Sequence, residues 1–291
     1  MGINMKRIIF RVFFCVLINS FGFSQQDLES LLGPISNTYI INNTFKSTRV
    51  INAQSIEIFE PNQLDLRISH RFGRLNSGFY DLFGLDQATI RIGLEYGLLQ
   101  NMMIGIGRSS YNKTYDGFFK YVLINQQKGD KNIPFSMAFF SNLAINSLKQ
   151  NQNNYPFSAR FSYCNQLIIA SKINTNFSFQ FMPTWVHWNM VETSLEKNDI
   201  LSMGFAFRYL ITKSFSINSE YFFSFIDELS SISYNNSFSF GVDIETGGHV
   251  FQLHITNSLP MHESGFITRT RGAWSEGDIH FGFNISREFN L

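Results

Sequence analysis

Apolar and polar residues alternate along most of the chain. Leu64, Leu66, Ile68 and Phe72 fall on one parity and Asp65, Arg67, Ser69 and Arg71 on the other. Ala88, Ile90, Ile92, Leu94, Tyr96 and Leu98 likewise oppose Thr89, Arg91, Gly93, Glu95 and Gly97. At the far end Ile279, Phe281, Phe283, Ile285, Phe289 and Leu291 oppose His280, Gly282, Asn284, Ser286 and Glu288, and only Arg287 breaks the pattern. Successive side chains of a strand point to opposite faces, so each stretch predicts a strand with one greasy and one polar face. Further strands are expected at 102–109, 116–124, 135–146, 157–165, 173–183, 200–211, 215–225, 236–246 and 250–258. The total is about twelve, an even number as single-chain bacterial barrels have, and the expected fold class is all-β, an antiparallel transmembrane up-and-down barrel.

Loop lengths test that count. Only a few residues around Gln100, 212–214 and 247–248 separate some strands, whereas 73–87, 186–199, 226–235 and 259–277 separate others. Short turns on one side and long loops on the other are expected of an outer-membrane barrel, with the short side and both termini in the periplasm. The turns 125–134 and 166–172 are longer than that rule prefers.

Composition supports a wall that faces lipid. The 291 residues include 33 phenylalanines and 11 tyrosines beside 6 prolines, and 15% are charged. The mean hydropathy is near zero, as it is when lipid-facing and lumen-facing residues alternate one for one. A β-sandwich in water would carry more charge on its outer positions. The net charge of +1 comes with no basic cluster and no RNP-like pattern, which excludes a nucleic-acid partner. Trp185, Trp188 and Trp274 are placed at one end of the strands, as an interfacial aromatic girdle or as packing among the long loops.

The N-terminus divides off. Lys6 and Arg7, the apolar run 8–18 interrupted by Arg11, and the small residues Gly22 and Ser24 match a secretory signal peptide over 1–24. Its removal takes Cys15 and leaves Cys164 alone, with no internal disulfide and no metal-ligand spacing. Residues 25–60 show no clean period and are expected to be a periplasmic lead-in or partial plug, and 61–291 the barrel.

The stretches DLRISHRFGRLNSGFYDLFGLDQATIRIGLEYGL (65–98), GGHVFQLHITNS (247–258) and GDIHFGFNISREF (277–289), with TFKSTRVINAQSIE (44–57), resemble a family of uncharacterised β-barrel proteins from Bacteroidota, a domain of unknown function. The alternating last strand, with an aromatic near its end, also resembles the closing strand that the outer-membrane barrel assembly machinery reads. The resemblance implies an outer-membrane barrel and brings no ligand, cofactor or catalytic residue.

On the polar parity, Asp65, Arg67, Arg71, Arg91 and Glu95 enter the lumen from one hairpin, where opposite charges can pair across adjacent strands. They read either as a constriction that tunes ion selectivity or as a network filling a modest lumen. Glu220, Asp243, Glu245, His254 and His280 are expected to face inward as well. The two histidines with nearby carboxylates could form a metal site or an acid–base pair; a histidine hydrogen-bonded to a neighbouring carboxylate is the plainer expectation. His254, Asn257 and Ser258 invite comparison with barrel hydrolases, but the shared lumen-facing parity of His254 and Ser258 argues against an enzyme. The expected function is porin-like passage of small polar solutes, with no cofactor. The alternative is a non-conducting barrel that serves as scaffold or docking component of an envelope complex.

Overall fold

The computed structural model describes residues 38–149, 155–226, 233–247 and 249–291. The expected signal peptide and residues 25–37 of the lead-in lie outside them. Twelve antiparallel strands close a barrel. They are β1 (Gln63–Arg74), β2 (Ala88–Leu99), β3 (Met102–Ser109), β4 (Thr114–Ile124), β5 (Ser136–Asn146), β6 (Phe161–Lys172), β7 (Phe177–Trp188), β8 (Asp199–Thr212), β9 (Phe215–Ser224), β10 (Ser237–Thr246), β11 (His249–Thr256) and β12 (His280–Asn290). Each pairs with the next, and β12 pairs with β1 through registers such as Ser69 with Asn284. Closure satisfies the backbone groups that an open sheet would leave bare in lipid. A short ladder, Tyr39–Ile40 with Gln127–Lys128, stands apart from the barrel.

The alternation read from sequence sets the two faces. Ile92, Ile106 and Leu201 are at least half exposed on the outside, while Asp65 and Glu95 are fully buried inside. Two strands sit about four residues later than expected: β6 runs over Phe161–Lys172 and β7 over Phe177–Trp188. Residues Phe157–Arg160 form a 3-10 turn instead of the start of β6. The reason is that Leu167, Ile168, Ile169 and Ala170 form an unbroken apolar run whose inner members, Ile168 and Ala170, pack against an apolar interior and hide the period. With that shift the 166–172 turn shrinks to the few residues between β6 and β7.

Connections of two to four residues join β2 to β3, β6 to β7, β8 to β9 and β10 to β11 at one end, here the turn end. Its exception is the β4–β5 connection, which carries the Gln127–Lys128 ladder strand. The opposite, loop end has the long connections, except for the brief one between β3 and β4.

The interior is filled from both ends. Residues 44–59 enter from the turn end, reverse at 50–53 and return to β1, and nearly all of them are buried. The chain leaves the lumen by crossing Gly97 of β2, where a Cβ would collide with the Glu60 carbonyl oxygen. From the loop end the β11–β12 connection folds inward and forms helix α1 (Glu263–Thr268), all six residues of which are buried. Phe45, Val50, Ala53, Ile56 and Phe59 of the hairpin and Phe266 and Ile267 of α1 share one apolar cluster with Met103, Phe118, Phe140, Ile168, Met182 and Phe222 of the wall. The apolar side chains of the inner wall therefore come chiefly from β3 to β9, interspersed with polar ones, whereas the inward positions of β10 to β12, β1 and β2 are mostly polar.

Candidate functional site in the lumen

The hairpin holds itself with two backbone bonds, Val50 N–H to Ala53 O at 2.8 Å and Ser55 N–H to Thr48 O at 2.9 Å. Its remaining backbone groups need partners from the wall or from the hairpin's own side chains, because a buried unpaired amide or carbonyl is costly. At the tip the Glu220 carboxylate accepts the N–H groups of Ile51, Asn52 and Ala53 at 3.2, 3.0 and 2.9 Å. Asn284 Nδ2 donates to Ile51 O at 3.0 Å and Gln252 Nε2 to Val50 O at 2.9 Å. On the far side Gln180 Nε2 donates to Gln54 O at 2.7 Å, and Lys120 Nζ donates to the carbonyls of Thr48 and Ser55 and to Gln54 Oε1. Near the turn end Arg208 Nη1 donates to the carbonyls of Asn43 and Thr44, and Lys46 pairs with Glu245. Within the hairpin Glu57 accepts the N–H groups of Thr44 and Phe45; burial pushes its carboxyl above the usual carboxylate range, against these bonds.

Where the tip meets α1 the charges converge. Arg49 of the hairpin donates from Nη1 to Glu263 at 3.0 Å and from Nε to Glu95 at 3.3 Å. Glu95 also accepts Thr48 Oγ1–H at 2.6 Å and lies 3.7 Å from Arg67. Arg67 in turn donates to Asp65, Ser47 Oγ and Thr48 Oγ1. One buried network thus joins the wall, the plug from the turn end and the plug from the loop end. His262, which precedes α1, has its pKa pushed down to about 4 by burial.

Every candidate drawn from the sequence faces inward, but not as one ring. Asp65, Arg67 and Glu95 enter the network just described. Arg71 donates through Nη2 to Asn52 Oδ1 at the tip. Arg91 stands aside and forms a two-point pair with Asp116 of β4, Nε to Oδ1 at 2.9 Å. Asp243 accepts Gln252 Nε2–H at 2.9 Å. His280 Nδ1 meets Phe72 O at 2.9 Å, and His254 is buried with neither ring nitrogen partnered. The expected histidine–carboxylate pairs are thus replaced by a backbone carbonyl in one case and by no partner in the other. His254 makes no hydrogen bond to Ser258, so no base is joined to that hydroxyl. Among the described residues no group of three His, Cys, Asp or Glu is placed to hold a metal ion.

Arg49, Asp116, Lys120 and Glu263 carry much of the network and were missed from sequence. Asp116 and Lys120 share the inward parity of β4 and were legible on that ground; Arg49 and Glu263 lie in stretches without a period. Of the tryptophans, Trp185 faces outward and is 43% exposed. Trp188 donates to Thr268 Oγ1 of α1, and Trp274 donates to Phe238 O and packs edge-on against the Phe238 ring of β10.

Among solved structures the chain is similar to the NanC porin, at 8% identity and a TM-score of 0.48 over 78% of this chain and 100% of that one. It is similar to the KdgM porin at 10% identity and 0.47, over 78% and 99%. It is also similar to the outer-membrane protein Omp33 of Acinetobacter baumannii, at 10% and 0.43, over 81% and 100%. No curated protein matches it in sequence. The profile of the membrane-bound beta barrel domain DUF5777 matches residues 45–289, which takes in the hairpin and all but the last residue of β12, and the chain belongs to that family.

Proposed function

We propose that the protein is an outer-membrane, porin-like barrel whose resting state is closed, and that small polar solutes cross it when the 44–60 hairpin leaves the lumen. The observation that supports this most is the asymmetry of the interior. The turn-end half is filled by the hairpin, whereas the loop end, where α1 folds inward, keeps cavities of about 250 and 420 Å³ beside that segment. Short turns belong to the periplasmic side of such barrels, so the hairpin is a periplasmic stopper and the cavities face outward. On the polar side its contacts are hydrogen bonds, together with the ion pairs of Lys46 and Arg49, and these are groups that water solvates once the lumen is wet. With the hairpin out, Asp65, Arg67, Arg71, Glu95, Glu220, Asp243, Glu245, His254 and His280 would line a mixed-charge passage, with Arg91 held on Asp116. β12 is the segment the assembly machinery would read, and the outward face meets lipid.

A second reading, a non-conducting barrel that docks a partner, draws on the apolar cluster. Withdrawal would bare Phe45, Val50, Ile56 and Phe59 together with the wall residues they cover.

Single-channel conductance of the mature chain, refolded in detergent and inserted in a planar bilayer with and without residues 25–60, separates the two. Rare or no current from the full mature chain and steady, salt-dependent current from the truncated one is the expected result. No current from truncated protein that shows the heat-shifted gel mobility of a folded barrel would overturn the conduit in favour of docking.

A further inference from the structure

The larger loop-end cavity, about 420 Å³, lies between the ends of β1, β2 and β12 and the β11–β12 connection, lined in part by Arg71, Arg74, Gln87, Thr89, Leu259 and His280. Arg71 is 1% exposed, and Asn52 Oδ1 takes one hydrogen from its Nη2, while Nε and Nη1 have no partner. Among the described residues it forms no ion pair, in contrast to Arg49, Arg67, Arg74 and Arg91, each of which has a carboxylate. Glu220, the β9 carboxylate that binds the same hairpin tip, has its oxygens engaged by three backbone N–H groups. A buried guanidinium that no carboxylate contacts, with Glu220 acting on it only from beyond ion-pair distance, is expensive, and its planar fork fits a carboxylate at two points. Nη2 carries two hydrogens, so a carboxylate can bridge Nη2 and a neighbouring nitrogen while Asn52 keeps its bond.

The rim adds neutral polar groups. Arg74 is paired with Asp278 at 2.8 Å and brings no net charge. His280 Nδ1 faces the Phe72 carbonyl, so Nδ1 carries the proton and Nε2 can accept one from a hydroxyl. Gln87 and Thr89 offer further donors and acceptors. The cavity has room for about ten to fourteen water-sized units, enough for a ligand of about that many heavy atoms.

We propose that this cavity binds a small hydroxylated carboxylate, with its carboxylate on Arg71 and its hydroxyls on Gln87, Thr89 and His280. Its role as a solute-approach site rests on the conduit reading; the binding itself does not, because it is measured on closed barrels.

The test is calorimetric titration of the mature chain, folded in detergent, with gluconate, with uncharged sorbitol and with inorganic phosphate. Gluconate is expected to bind, less tightly at higher salt, and sorbitol at least about tenfold more weakly, the loss expected of a charge-assisted fork. Arg71→Gln should weaken gluconate about tenfold or more, and Gln87→Ala by several-fold. Binding unchanged in R71Q, or no binding to folded wild-type protein at about 20 mM gluconate, overturns the site. Phosphate binding as tightly as gluconate overturns the carboxylate assignment. If R71Q lacks the heat-shifted mobility of a folded barrel, Gln87→Ala with Thr89→Val carries the test, and unchanged affinity there overturns the proposal.

Discussion

Glu220→Ala removes the acceptor that seats the hairpin tip. Its carboxylate receives the backbone N–H groups of Ile51, Asn52 and Ala53, all at 3.2 Å or less. A hydrogen bond to a charged group contributes about 1.5–3 kcal/mol net, but three that share one carboxylate divide its charge, so about 1 kcal/mol each is the fair figure. The loss is then about 3 kcal/mol, or about a hundredfold rise in the population with its tip released. The hairpin should nonetheless stay mostly seated, since Gln252, Asn284, Lys120 and the apolar cluster still hold it. Glu220→Gln keeps the shape and one acceptor oxygen and should give about half the loss in free energy. Hydrogen exchange of peptides spanning 44–60, read by mass spectrometry with a β8 peptide as internal reference, reports the released fraction. Exchange at 50–53 that rises less than about threefold in folded E220A protein would refute the assignment of Glu220 as the tip's anchor.

Two further outcomes follow from the inner network. His262 is held neutral, its pKa lowered from 6.5 to about 4 by burial among Asp116, Arg91 and Arg269. A released loop regains the ordinary value, so it takes up a proton that the seated loop refuses as pH falls from 6.5 to 4. Seating is unaffected above that window, weakens by about 1.4 kcal/mol per pH unit within it, about 3 kcal/mol in all, and levels off below it. Exchange of peptides covering 257–270, corrected for intrinsic rates, should therefore accelerate between pH 6.5 and 5; equal acceleration in His262→Gln would refute the role of this imidazole. Arg49→Met should lower the midpoint of the heat-induced mobility shift, because it leaves buried Glu263 without its cation and Glu95 with Arg67 alone, at a cost of about 3 kcal/mol or more. Adding Glu263→Gln should recover at least about 1 kcal/mol of that loss; additive effects of the two changes would show that the two plugs are not coupled through this pair.

The barrel was legible in sequence because each wall strand has two solvents, lipid and lumen, and a period of two records the difference. Residues 102–109 were placed to the residue, as β3. The pattern faded where the lumen is itself apolar: Ile168 and Ala170 point inward against the core, and the reading of β6 and β7 slipped there. The charged inner side chains were legible by parity, but their partners were not. Ser47, Thr48, Arg49, Asn52, Gln54 and Ser55 are buried polar residues whose order along the chain does not differ from that of an exposed loop. What buries them is the wall, assembled from strands as much as 233 residues away, the separation of the Asn284–Ile51 bond. A segment enclosed on every side has no outer face, and so no period to read.

The hairpin enters and leaves the lumen at the same end, and its second leg runs straight into β1. It can therefore slide out without threading and cannot diffuse away once out. A segment of this length on so short a leash meets its own socket at an effective concentration of order millimolar. Re-closure is then a first-order event, with a rate independent of how much protein the membrane holds. A free peptide of the same sequence would compete only at about millimolar levels, so on the closed-conduit proposal the stopper would be supplied in fixed stoichiometry with the barrel.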